Sequence, residues 1–148
     1  APTFAEWYSL KDFKSLKSGI KKSTQLIFIL TFPAILIVFL FSDFILSLFG
    51  PEYTVARNAL IVLLIGQAVN ALCGSVGVYM NMTGKQVVFQ RILITAFAIN
   101  ITLNLLLIPK YDILGAAIAT SISTIFWNVL TTVYIYRKDN ISTFLTLR

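Results

Sequence analysis

Lys22 is followed by twenty residues without a charge, 23–42, and the pattern recurs three times: residues 58–84, 92–109 and 113–136 hold 27, 18 and 24 uncharged residues. A helix rises about 1.5 Å per residue, so roughly 20 apolar residues cross the hydrocarbon core of a bilayer. Only 12% of the 148 residues are charged and 57% are hydrophobic, with a mean hydropathy of +0.84; soluble chains carry about 25% charge. A water-soluble domain of this length has no means of burying so much apolar surface. The fold class predicted is therefore all-α, a polytopic membrane helix bundle. Its domains are an amphipathic linker helix at 1–22, a four-helix transmembrane segment at 23–136 and a tail at 137–148. The spans are expected at about 24–49, 58–83, 91–108 and 113–136.

Each run has a stop signal. Pro33 lies inside the first and is expected to kink it, and Gly50-Pro51 ends it before a short polar loop. Gly84-Lys85 closes the second. Between the third and fourth lie only Pro109, Lys110, Tyr111 and Asp112. Proline donates no backbone hydrogen bond and disfavours helix for the residue before it, so the third helix is expected to end near Ile108. Gly115, Ala116, Ala117 and Ala119 then open the fourth helix with little bulk, as suits helices that pack closely in lipid. The spacing predicts a tight hairpin.

Lysines 11, 14, 17, 21 and 22 alternate with Leu10, Phe13, Leu16 and Ile20 at helical spacing. This reads as a helix lying on the membrane, its apolar side chains in the acyl boundary, or else as a solvated linker helix. Ten cations, Lys11, Lys14, Lys17, Lys21, Lys22, Lys85, Arg91, Arg137, Lys138 and Arg148, fall on one side of the predicted topology, and only Arg57 and Lys110 on the other. That asymmetry places both termini in the cytoplasm. It also accounts for the net charge of +6 without a nucleic-acid partner.

Polar groups inside hydrocarbon are costly and tend to face protein or a water-filled cavity. Gly66, Asn70, Gly74 and Gly77 share one face of the second predicted helix, read first as a packing seam. Asn100 and Asn104 lie one turn apart, and Ala117, Ser121, Thr124, Asn128 and Thr131 form a stripe on the fourth helix. Asp43 is the one acid within a predicted span, read as an interfacial residue or as an ion-coupling site. Lys85 and Arg91 stand where head groups begin and are candidates for a lipid phosphate. With no histidine and a single cysteine, Cys73, the chain offers no zinc site, Cys-His pair or intrachain disulfide. It lacks a Ser-His-Asp set, paired embedded carboxylates and a CxxC; Gly74–Gly77 is too short for a phosphate loop. Neither an enzyme nor a cofactor is expected. The chain opens at Ala1 without a secretory signal and is expected to be a piece of something longer.

The same elements carry a resemblance. Ala1-Pro2 with Asp12, Pro33 in the first span, Ile45-Leu46-Ser47-Leu48-Phe49-Gly50 with Tyr53 and Ala56, and Thr83-Gly84-Lys85 come in one order. Asn100-Ile101 with Leu103-Asn104 and the block from Leu107 to Thr120 complete it. In this the chain resembles the polysaccharide flippases, which move lipid-linked oligosaccharides such as O-antigen units and are related to multidrug and toxin extrusion transporters. Asp112 stands where that family usually has glycine. The resemblance implies part of the C-terminal lobe of a two-lobe transporter of twelve to fourteen helices, whose partners are the N-terminal lobe, membrane lipids and a lipid-linked oligosaccharide. It also implies a cytoplasmic (inner) membrane location. The family's cavity often holds buried cations, and no Lys or Arg lies deep in these four runs, so such charges belong to the other lobe or the substrate binds differently. Asn70, Asn100, Asn104 and Asn128 are the candidates for glycan hydroxyls, because uncharged donors and acceptors suit sugars. Two alternatives stay open: a cation-coupled multidrug antiporter in which Asp43 matters, and a non-transporting four-helix membrane protein that oligomerises along its glycine face.

Overall fold

The computed structural model describes residues 2–10 and 12–144; Ala1, Lys11 and Arg148 of the motif and cation tally lie outside them. A short helix α1, Pro2–Ser9, precedes a long one, α2, Phe13–Leu40. Asp12 caps α2 by accepting the Ser15 amide at 3.1 Å, its side-chain oxygen taking one of the first-turn amides that lack a partner within the helix. That bond holds the Asp12 carboxyl below the ordinary carboxylate range. No boundary falls at residue 22. The lysines from Lys14 to Lys22 occupy the first turns of the spanning helix, because extending an existing helix costs far less than nucleating another. Leu16 and Ile20 are fully buried against Cys73, Val76, Tyr79, Met80, Ile135 and Ile141, so protein, and not the acyl boundary, receives them.

Helix α2 runs through Pro33 and is interrupted eight residues later, at Phe41 (φ −103°, ψ 19°). A short helix α3, Ser42–Ser47, places Asp43 in its first turn, where the helix dipole favours an acid. The first span is thus two pieces. Gly50, at φ 135°, turns the chain into a 3-10 segment, Pro51–Ala56, which leads into α4, Arg57–Cys73.

The second predicted span, 58–83, is also divided. α4 stops at Cys73, Gly74 adopts φ 74° and ψ −141°, and α5 covers Val76–Met82. A Cβ on Gly74 would overlap the Thr24 side chain of α2. Glycine supplies both the positive φ and the room. The predicted glycine face is corrected accordingly: Gly66 of α4 packs on Ser121, whose Oγ lies 3.1 Å from where a Cβ would stand, whereas Gly77 of α5 faces the Phe89 ring.

Helix α6, Gln86–Asp139, is 54 residues long. A straight helix of that length would put its ends about 80 Å apart, yet Lys85 and Asp139 form an ion pair. The reversal is at Asp112 (φ 47°, ψ −126°). Two antiparallel arms result, 86–111 and 113–139, joined midway by Asn100 and Ser123 and lower down by the rings of Phe89 and Trp127, 5.9 Å apart. The first arm carries on through Pro109 instead of ending at Ile108. Proline's missing donor disturbs only the turn before it, and the residue that turns the chain lies three positions later. A Cβ on Gly115 would overlap the Leu107 carbonyl, and Ala117 and Ala119 are buried. Small side chains let the arms close, as predicted.

Among the described residues three helices are long and apolar enough to cross a membrane, Lys14–Leu40, Tyr53–Cys73 and Gln86–Asp139; the folding back of the third yields the fourth crossing segment. α6 ends with Asn140 in the left-handed conformation, so the tail starts there and not at 137. It turns back over the bundle, where Ile141 is buried and the Thr143 carbonyl accepts Thr24 Oγ1 at 3.1 Å. The buried core lies at this end. Leu30, Phe32, Ile37 and Leu40 of α2 face outward, as expected for surface whose solvent is lipid or another part of a membrane protein.

Candidate polar site in the α6 hairpin

Asn100 and Asn104 lie four residues apart, hence on one face of the first arm. Asn104 Nδ2 donates to the Asn100 carbonyl at 2.9 Å and to Asn100 Oδ1 at 3.0 Å, and Asn100 Nδ2 donates across the hairpin to Ser123 Oγ at 3.1 Å. Ser123 bonds back to the carbonyls of Ala119 and Thr120, each at 3.0 Å. The result is an uncharged amide–amide–hydroxyl relay between apolar helices, with both amides half-buried. Asn104 also lines a shallow groove with Ile101, Leu105, Ile108 and Pro109. These groups offer donors and acceptors with no net charge, suited to neutral hydroxyls.

The other two candidate amides stand apart from this relay. Asn70 donates to Gln67 Oε1 at 3.3 Å along its own helix. Asn128 is fully buried; its Nδ2 bonds back to the Thr124 carbonyl at 2.9 Å, and its Oδ1 has no partner among the described residues. Much of the fourth-helix stripe is structural. Ser121 Oγ donates to the Val62 carbonyl at 2.8 Å, joining the second arm to α4, and Thr131 Oγ1 bonds back to Trp127 at 2.6 Å.

The charged candidates fall at the two ends. Asp43 pairs with Arg57 (Oδ1 to Nε, 3.1 Å), and Arg57 Nε also donates to Ser42 Oγ at 3.3 Å. The acid is thus tied to the start of α4 and is 67% exposed. Lys85, read from the sequence as a phosphate ligand, is instead committed to Asp139: both are largely withdrawn from solvent, with the two side chains 12% and 10% exposed. Asp139 Oδ2 also accepts the Tyr79 hydroxyl at 2.7 Å, and the Lys85 ammonium lies 5.0 Å and 5.3 Å from the Tyr8 and Tyr79 ring centroids. Burial forces the cation to find an anion inside the protein. Arg91 stands exposed. Nothing in the sequence marks Ser123, Tyr79 or Asp139: Ser123 lies off the helical stripe of the fourth predicted span, and Asp139 follows Arg137 and Lys138, where the uncharged run ends.

An apolar bundle of crossing helices, two of them broken, with a neutral relay in one hairpin, defines a polytopic membrane protein built around embedded polar groups. Residues 2–106 match the MatE family model, and the chain belongs to that family of membrane transporters. It is 32% identical over 126 residues to a Haloferax volcanii protein provisionally named as a low-salt glycan biosynthesis flippase, covering 82% of this chain and 26% of that one. A Shigella flexneri protein provisionally named as an O-antigen transporter is 35% identical over 124 residues, 82% of this chain and 30% of its own. An uncharacterised membrane protein of Methanocaldococcus jannaschii is 33% identical over 121 residues, 80% of this chain and 24% of its own. The chain therefore spans about a quarter to a third of the length of these relatives. No solved structure matches it.

Proposed function

We propose that this chain is part of one lobe of a flippase that carries lipid-linked oligosaccharide units across a cytoplasmic membrane by alternating access. The observation that carries the reading is the relay of Asn100, Asn104 and Ser123: half-buried, uncharged and set in an apolar hairpin. A sugar face needs such groups, and a cationic drug would call for an acid. The names of two relatives support the same substrate class. The lobe rocks against a partner lobe, the glycan passes through the polar path, and the lipid tail stays in the bilayer. The ten-to-two distribution of cations supports cytoplasmic termini. The role is transport and not catalysis.

The test is complementation with the full-length protein in a strain lacking its own flippase. Joint replacement Asn100→Leu and Asn104→Leu removes the relay while keeping the apolar hairpin. Surface polysaccharide is expected to fall about tenfold or more, as the loss of one or two hydrogen bonds implies. Wild-type polysaccharide from a correctly inserted double variant would sink the assignment. The antiporter alternative gains nothing from Asp43, whose carboxylate is already paired with Arg57.

A further inference from the structure

A groove of about 380 Å³ opens beside the last turns of the second arm. Val129, Thr132, Val133, Tyr136, Arg137 and Ser142 are among the residues that line it. Sites for small ligands have volumes of roughly 300–1,000 Å³ and combine an apolar lining with a few placed polar groups. Two observations indicate what fits. Arg137 and Lys138 are exposed and carry two adjacent positive charges. The acid beside them, Asp139, does not neutralise them, because it faces inward to Lys85 and Tyr79. Among the described residues no carboxylate lines the groove.

We propose that this groove binds an anionic phospholipid of the surrounding bilayer, its phosphate on the Arg137 guanidinium and an acyl chain along Val129, Val133 and Tyr136. Arginine's planar fork matches phosphate oxygens in pairs. The phosphate position read from the sequence at Lys85 is thereby moved to the other partner of the helix end: Lys85 neutralises Asp139, and Arg137 is left for the lipid. The site is independent of the transported substrate.

The test uses the full-length protein in nanodiscs of phosphatidylcholine with or without phosphatidylglycerol, with retained lipid counted by native mass spectrometry. Phosphatidylglycerol is expected to be retained in preference to phosphatidylcholine. Arg137→Gln, an exposed substitution that leaves the core intact, is expected to lower that preference about fivefold to tenfold, the effect of one cation at a charged membrane surface. Arg91→Gln should leave it unchanged, and Val133→Trp should reduce retention of both lipids by filling the groove. The proposal is overturned if Arg137→Gln retains phosphatidylglycerol as the wild type does. It is overturned equally if Arg91→Gln loses as much, since the attraction is then diffuse, or if the retained phosphate compound is a polyprenyl pyrophosphate.

Discussion

Each end of the bundle is closed by one acid and one base, but in opposite surroundings. At the end that holds the buried core, Lys85 and Asp139 lie near Tyr8 and Tyr79, the latter packed with the fully buried Leu16, Ile20 and Ile135. At the far end Asp43 and Arg57 remain 67% and 48% exposed. The same chemistry therefore does different things. A largely buried pair fixes helix ends in place because little water reaches either charge, whereas an exposed one competes with water and salt.

The sharpest way to break the comparison is to remove one acid from each end. Asp139→Ala leaves the Lys85 ammonium buried and unpaired, and is expected to cost about 3–5 kcal/mol, read as thermal stability in detergent. Asp43→Ala should cost below about 1 kcal/mol. Equal losses would show that burial does not separate the pairs. Next in size is Gly74→Ala, which drives a methyl group into Thr24 and imposes a strained positive φ; about 2 kcal/mol or more is expected. Adding Thr24→Ala should recover part of the loss and leave the part due to backbone strain. A smaller effect of opposite sign is expected at the far end. Asp112→Gly removes the side chain from a position with φ 47° and should stabilise by about 1 kcal/mol; destabilisation would mean that the Asp112 side chain holds the turn. The least effect concerns Asp12. Its carboxyl is depressed in the folded chain, so the cap is complete above the ordinary value of 3.8 and is lost as pH falls through the lower folded value. The protection of the Ser15 amide against exchange, taken relative to its intrinsic rate at each pH, should fall only in that acid range.

The sequence makes the crossing segments legible because charge is so costly in hydrocarbon that its absence marks them directly. The hairpin closed by Gly115, Ala117 and Ala119 is legible for a related reason, since small residues at helical spacing signal close approach. The breaks are less visible. Gly74 lies within an apolar run, and only the Thr24 side chain, fifty residues earlier in the sequence, shows why the helix must open there. Pro33 and Pro109 are strong local signals, yet both stay inside helices, while the interruptions fall at Phe41 and Asp112. At the polar site, one-turn spacing identifies Asn100 with Asn104, because both sit on one helix. Their link to Ser123, and Lys85's to Asp139, depend on where the chain reverses, which spacing along a single helix does not record.

Lys85 and Asp139 are separated by 54 residues of sequence, and a ribosome adding 5–20 residues per second needs about 3–10 seconds to make that interval. During those seconds the lysine exists without its acid. Once Asp139 has been made, the same ammonium becomes the fastener of a finished hairpin, so the joint closes only after both arms exist.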